Sequence, residues 1–278
     1  MRFDDLRRPP LDQAALTAAL TAGASIWRAV EVVEESPSTN RAVAERARTG
    51  EPEGLVLVAE HQTAGRGRLD RSWVTPARAA LTFSALLVPE RVPPSRWPWL
   101  PLLAGVAVAE GVHRVTEVPC ALKWPNDVMV DDHKLAGLLA ERVERPSSTA
   151  AVLGVGLNVT STRDELPVPT ATSLELAGAT TLDRSVILRE VLRAFEALYL
   201  QWSAEGGDPD RGLHAAYVRR CATIGRQVRV ALPSGDPVVG EAVGIDGDGR
   251  LQVRTATGSR LLGAGDVVHV RPEPGAVT

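Results

Sequence analysis

Lysine is almost missing from this chain. Of 31 basic residues only Lys123 and Lys134 are lysine, and asparagine is nearly as rare, with Asn40, Asn126 and Asn158 its three occurrences. Arginine elsewhere, with abundant Ala, Gly and Pro, reads as a genomic composition bias. Positions that keep lysine under such a bias are candidates for a compact ammonium that a planar guanidinium does not replace. Both fall within one short segment. Cysteine is scarce too, and Cys120 and Cys221 lie far apart, which excludes a disulfide framework and a zinc knuckle. The five histidines, His61, His113, His133, His214 and His269, form no His-x-x-x-His pair, and no Gly-x-Ser-x-Gly elbow occurs. No secretory-type apolar segment follows the first residues. The longest strongly apolar run, 97–109, holds two prolines and is shorter than the roughly 20 residues that span a bilayer. A cytoplasmic chain with no membrane partner is expected. An excess of one charge is also lacking: 31 basic against 34 acidic residues leave a net of −3 and a pI near 6.0. No global field draws the chain to nucleic acid, and any basic site must be local.

What is present is enough for a real core, since 44% of the 278 residues are apolar. A polar lead and a short helix near 11–16 stop by Gly23. Strands are expected over 27–34, 55–59, 80–88, 121–124, 128–131, 135–142 and 150–159, and helices over 41–48, 102–115, 182–202 and 213–222. Ser38 offers a helix N-cap. Strands and helices thus mix in one α+β domain over residues 1–222. After Cys221 the pattern turns to short β runs (228–232, 238–245, 251–255, 260–262, 267–270) separated by Gly/Asp turns, so residues 223–272 read as a small β-barrel. Residues 273–278 read as a frayed tail.

The segment Glu60-His61-Gln62-Thr63-Ala64-Gly65-Arg66-Gly67-Arg68-Leu69-Asp70-Arg71-Ser72-Trp73 reads as a loop on composition. Arg66, Arg68 and Arg71 alternate with Gly65 and Gly67, so backbone can approach a ligand while guanidinium forks grip anionic oxygens. This is phosphate chemistry without a P-loop, because no Gly-Lys-Ser/Thr follows and the third glycine of a dinucleotide fingerprint is absent. Gln62 and Trp73 favour a small nucleotide with a stacked base. Lys123-Trp124-Pro125-Asn126-Asp127 then collects a cation, an indole, an amide and a carboxylate at a strand end. Lys134-Leu135-Ala136-Gly137-Leu138-Leu139-Ala140-Glu141 follows; hydrophobic alternation explains Leu135 and Leu139 but not Lys134, and Gly137 permits close approach of a ligand. Gly154-Val155-Gly156-Leu157-Asn158-Val159 closes a buried strand on the third asparagine.

Together with Ser38-Thr39-Asn40, this series resembles the motifs of the biotin protein ligases over most of residues 27–160, and the β-rich tail is similar to the C-terminal domain of that family. The resemblance implies the mixed-sheet catalytic domain of the biotin/lipoyl ligases, which is class II aminoacyl-tRNA synthetase-like, with a C-terminal SH3-like barrel. It implies a monofunctional ligase without the N-terminal DNA-binding domain. The implied reaction activates biotin with Mg-ATP to biotinyl-5′-AMP and acylates one lysine of a biotin carboxyl carrier domain of acetyl-CoA carboxylase or a related enzyme. Biotin is a substrate and no tightly bound prosthetic group is implied. Ser38, Thr39, Asn40, Gln62, Gly65, Arg66, Gly67, Arg68 and Lys134 would bind biotin; Arg66, Arg68, Arg71, Trp73, Lys123, Asn126, Lys134 and Asn158 would bind ATP or the adenylate. Lys134, Arg68 and Asp127 would be catalytic, with Asp127 holding Mg²⁺ or orienting the acceptor lysine. A lipoyl ligase of the same superfamily and a non-enzymatic binding module are the alternatives.

Overall fold

The structure is a computed structural model that describes residues 7–69, 71–146 and 148–269; the tail 273–278 lies outside them. The strands of the first part are β1 (Ala29–Ser36), β2 (Leu55–Gln62), β3 (Gly65–Arg66), β4 (Ser72–Trp73), β5 (Ala80–Leu87), β6 (Ala121–Lys123), β7 (Asp127–Val130), β8 (His133–Glu144) and β9 (Thr149–Asn158). Seven of them form one sheet in the order β1-β2-β5-β9-β8-β7-β6, in which β1 and β2 run parallel and every other pair antiparallel. The mixed sheet is the architecture expected.

The two faces separate with the period of a strand. Val56 and Val58 turn to the main core, whereas Leu55 and Leu57 turn to a smaller one under helix α2 (Thr39–Arg48), where Val43, Ala44 and Ala47 pack. Helix α1 (Gln13–Leu20) and the long helices α3 (Trp99–Thr116) and α4 (Arg184–Ala204) cover the main face. Gly111 brings α3 against α4, because a Cβ there would meet Val191 Cα at 2.6 Å. Helix α3 starts earlier than the period suggests, since Pro101 lies in the first turn, where a missing N–H removes no helical bond. Strand β1 is displaced two residues from the expected 27–34, and Trp27 is instead buried against Phe195 of α4. No helix among the described residues is long and apolar enough to cross a membrane.

After helix α5 (Leu213–Arg220) come β10 (Gln227–Ala231), β11 (Val238–Ile245), β12 (Leu251–Thr255), β13 (Gly258–Leu262) and β14 (Asp266–His269). They form an antiparallel sheet in the order β13-β12-β11-β10-β14. Its 246–249 turn is tied to the first part by indoles: Trp99 Nε1 donates to Gly247 O at 2.9 Å and Trp124 Nε1 to Gly249 O at 3.0 Å. Trp124, 1% exposed, is therefore a packing residue.

Glu60 is structural as well. It pairs with Arg184 at 2.5 Å, with side-chain exposures of 2% and 5%, and also accepts from Leu11 N at 2.6 Å. Arg184 in turn donates to Pro9 O at 2.6 Å. A buried ion pair of this kind is tolerable because its remaining hydrogen-bonding capacity is satisfied.

Candidate active site

The segment expected as a loop is a small hairpin. β2 continues to Gln62, then Gly65 pairs with Trp73 and Arg66 with Ser72. Composition hides this because two-residue strands carry no alternation, and Gly65 is needed there: a Cβ would lie 2.3 Å from Trp73 O. Trp73 of the hairpin lies over Gly137 of β8 and Gly156 of β9, and the hairpin borders a cleft lined by Ser38, Thr39, Asn40, Gln62, Arg66, Gly67, Arg68, Arg71, Trp73, Asn126, Asp127 and Lys134. All of these were singled out from the sequence.

Three glycines make the floor, each vacating space for one side chain. A Cβ on Gly154 would fall 2.1 Å from Asn40 Oδ1, one on Gly156 2.3 Å from Trp73 Cε2, and one on Gly137 3.1 Å from Lys134 Nζ. Gly137 and Gly156 are direct partners across β8 and β9. Trp73, the expected adenine stacker, thus lies flat on the sheet, with Lys134 Nζ 6.0 Å from its ring centroid, at the limit of a cation–π contact.

The cleft is polarised. Its hydroxyl- and amide-rich end begins at Ser38, whose extended backbone and side chain cap α2. Thr39 N and Oγ1 both meet Gln62 Oε1, at 2.8 and 3.1 Å. Asn40 Nδ2 donates to Glu141 Oε2 at 2.8 Å, and Ser84 Oγ reaches Asn40 Oδ1 at 2.6 Å. At the other end Lys134 Nζ lies 2.7 Å from Asp127 Oδ1. Trp73 Nε1 is buried with no hydrogen-bond partner among the described residues. A buried donor left unsatisfied in the cleft points to a polar ligand.

Each arginine has a different counterpart. Arg66 Nη1 pairs with Glu141 Oε1 at 3.1 Å, Arg68 Nη1 donates to Asn126 Oδ1 at 3.1 Å, and Arg71 pairs with Asp266 of β14. Asn126 is fixed in turn by donating to Leu138 O at 2.9 Å. Burial lowers the pKa of Arg68, opposed by Asp127 and Asp266, whereas the Asp266 hydrogen bond raises that of Arg71. Both guanidiniums stay charged at any working pH; Arg68 is the less solvated, and a phosphate that displaced water there would meet the stronger field.

Lys123 and Asn158 do not line this cleft. They line an adjoining one with Arg71, Trp73, Asp127, Lys134 and Asp266 on the shared wall, and Arg226 and His269 of the C-terminal part on the far side. Asn158 is buried and donates to Thr172 O at 2.9 Å. Sequence reasoning left out Ser84, Glu141, Gly154, Gly156 and Asp266 as site residues. Ser84 in the middle of an apolar strand and Glu141 on a mostly apolar one were available as signals; Asp266 gave none.

A sequence profile described as the biotin/lipoate A/B protein ligase family matches residues 32–158, and one described as the biotin protein ligase C terminal domain matches residues 223–270. The chain is similar to the biotin–[acetyl-CoA-carboxylase] ligase of Mycobacterium tuberculosis, 45% identical over 271 residues that cover 96% of this chain and 98% of that one. It is 32% identical to the bifunctional ligase/repressor of Bacillus subtilis, over 83% of this chain and 70% of the relative. Among solved structures, biotin protein ligase from Aquifex aeolicus in complex with biotin and ATP superposes with a TM-score of 0.73 at 28% identity, covering 87% of this chain and 99% of that one.

Proposed function

The chain belongs to the biotin protein ligase family, and on that premise we propose that it forms biotinyl-5′-AMP from biotin and ATP and passes the biotinyl group to one lysine of a biotin carboxyl carrier domain. The observation that carries the reading is the polarity of one cleft: a hydroxyl and amide cluster around Thr39, Gln62 and Asn40 at one end, Lys134, Arg68 and Arg71 at the other, with Arg66 neutralised by Glu141 between them.

Biotin has a neutral bicyclic head and an anionic tail, which suits that polarity. A tail carboxylate oxygen attacks the α-phosphorus, the bond to the β-phosphate breaks, and pyrophosphate leaves with the electron pair. Two anions approach in this step, so preorganised cations are the main catalytic requirement. Lys134 would exchange Asp127 for the biotin carboxylate and the α-phosphate, Arg68 would hold the phosphate from the hairpin, and Arg66 and Arg71 would flank it. Trp73 would stack on adenine. In the second step the carrier amine attacks the acyl carbon, the carbon–oxygen bond to phosphate breaks, and AMP leaves.

Mg²⁺ fits as a companion of ATP. It is held through phosphates, water and one or two carboxylates, and Asp127 offers a buried carboxylate oxygen that Lys134 would release on turning to the substrates. Among the described residues no cluster of three acidic, His or Cys side chains exists, which suits a metal that arrives with its nucleotide. When bound it would neutralise phosphate charge. Lys123 and Asn158 would serve the nucleotide from the adjoining cleft.

Residues 1–222 are read as the catalytic unit and 223–272 as the SH3-like unit, and the chain as cytoplasmic, with its thiols free and no nucleic-acid or membrane partner. The test is purified protein with ATP, Mg²⁺ and a carrier domain, given biotin or lipoate. Biotin-dependent pyrophosphate release and label on the carrier lysine are expected; release with lipoate in preference to biotin, or with neither, would overturn the proposal.

A further inference from the structure

Beside Thr39 the cleft contains a chain of polar groups, ending on the Glu141 carboxylate that Arg66 pairs with, whose protons can be assigned one by one. Asn40 Nδ2 donates to Leu139 O at 3.3 Å and to Glu141 Oε2 at 2.8 Å. A carbonyl and a carboxylate only accept, so the amide cannot be turned over, and Oδ1 must face Ser84. Gly154 leaves the room for it on the sheet side. Ser84 is fully buried, with Oγ 2.6 Å from Asn40 Oδ1 and 2.8 Å from Thr39 Oγ1. An amide oxygen carries no hydrogen, so the one hydroxyl proton of Ser84 belongs on the bond to Asn40. The one proton of Thr39 is then claimed by Ser84 Oγ or by Gln62 Oε1, 3.1 Å away. Either way Thr39 Oγ1 turns lone pairs toward the cleft. Gln62 Oε1 accepts the Thr39 N–H at 2.8 Å, which leaves Gln62 Nε2 as the outward donor beside Gly65.

We propose that Glu141 is a positioning residue that sets the polarity of this chain, so that Thr39 Oγ1 and Gln62 Nε2 present an acceptor next to a donor. That pair is the complement of a cyclic urea, which offers an N–H next to a carbonyl. The inference rests on reading the cleft as a biotin site and adds to it a group that touches no ligand. Replacing Glu141 by glutamine removes the acceptor-only partner. The glutamine can offer its own N–H to Asn40, so only the longer 3.3 Å contact to Leu139 O still opposes turning the amide over; once it turns, Ser84 donates to Thr39, whose proton is left to Gln62 Oε1 or to the cleft. A ring oxygen would then be accepted where wild type requires a ring N–H.

The test compares binding of biotin with that of its two cyclic carbamate analogues, in which one or the other ring N–H is replaced by oxygen, by calorimetry on the full chain. Wild type should disfavour at least one analogue by roughly 100-fold, as a site built around a substrate N–H does. In Glu141→Gln that preference should shrink by roughly tenfold or more, about the value of one hydrogen bond. Ser84→Ala breaks the chain at its centre and should narrow the preference in the same way, and it carries the test if Glu141→Gln does not fold. Glu141→Asp, which keeps an acceptor-only partner, should retain the preference. If Glu141→Gln weakens biotin and analogues alike and leaves their ratio unchanged, Glu141 is only structural and the proposal is overturned. Failure of the wild-type chain to bind biotin would instead defeat the reading of the site, and needs no variant to detect.

Discussion

Trp73 lies on Gly156 so closely that a Cβ on the glycine would stand 2.3 Å from Cε2 and 2.6 Å from Cζ2 of the indole. Two residues earlier on β9, Gly154 stands in the same relation to Asn40 Oδ1, at 2.1 Å. Successive residues of one sheet face thus serve opposite ends of one cleft.

The two alanine substitutions should therefore separate the two substrates. Gly156→Ala must displace Trp73 and should raise the KM for ATP by roughly fivefold, leaving the KM for biotin within twofold, since one lost aromatic contact accounts for about 1 kcal/mol. Gly154→Ala must displace Asn40 and should do the reverse. Initial-rate kinetics of pyrophosphate release with each substrate varied would check both, and an equal effect of each variant on both substrates would contradict the division of the cleft.

Lys134 is held in place by the carboxylate it must leave. With Asp127 2.7 Å away, the ammonium stands where, on the proposed reading, charge would develop. Lys134→Ala should raise the adenylation barrier by roughly 2–4 kcal/mol, the scale for removing one preorganised donor. Lys134→Arg should recover little, because a planar fork cannot occupy the space that Gly137 leaves for a point charge. Single-turnover pyrophosphate release measures both, and a wild-type rate in the arginine variant would refute the point-charge argument.

Much of this was legible in the sequence where local pattern and burial agree. The apolar runs of β2, β5 and β9 announce central strands, and Lys134 and the arginines stand out because nothing in a strand period explains them. The hairpin of β3 and β4 was not legible, because its two-residue strands owe their form to the pairing of Gly65 with Trp73 and not to any periodicity. Trp124 was read as site chemistry because of its neighbours, whereas its indole bonds Gly249, 125 residues away. Asp266 was invisible for the same reason: its meaning comes from Arg71, 195 residues earlier.

The Glu60–Arg184 pair should dominate the cost of single substitutions far from the cleft. Removing either charge strands its partner in the core, which costs roughly 3–5 kcal/mol. Replacing both by apolar residues should recover only part, since Leu11 N and Pro9 O, bonded to the pair at 2.6 Å each, would lose their partners. Urea midpoints of Glu60→Gln, Arg184→Met and the double Glu60→Leu, Arg184→Met variant check this; a single variant within 1 kcal/mol of wild type, in the terms of a buried pair, would be inconsistent with it.

His269 gives the fold a defined acid response. Its pKa is lowered to about 4, first by burial and then by the Lys123 and Arg226 cations. The geometry agrees, since Nδ1 faces Arg226 Nη1 at 3.2 Å and so must accept, while Nε2 faces Thr223 Oγ1 at 3.2 Å. The unfolded chain, with an ordinary histidine pKa of about 6.5, binds the proton first. Stability from this group is therefore full above about pH 6.5 and declines as pH falls toward about 4. His269→Gln should flatten that part of a plot of urea midpoint against pH, and an unchanged slope would rule the histidine out.

Arg68 should govern retention of the adenylate. Biotinyl-adenylate is a mixed anhydride that acylates any accessible amine, so an enzyme that makes it must hold it until the carrier lysine arrives. Arg68 is suited to this because it is the hairpin arginine whose charge is least solvated, and Asn126, itself bonded to Leu138 O, fixes its direction. Its fork would grip the phosphate and exclude water, while the head of biotin would be held at the other end by Ser38, Thr39 and Gln62. Arg68→Gly should therefore weaken adenylate binding far more than biotin binding, by roughly 100-fold if one charge-assisted bidentate contact of about 3 kcal/mol is lost. Leaked adenylate would then label bystanders. The measurement is biotin incorporated into a lysine-rich bystander protein by wild type and Arg68→Gly with no carrier domain present. Heavy labelling by the variant alone is expected; equal labelling, from a variant that still releases pyrophosphate, would show that Arg68 does not control release.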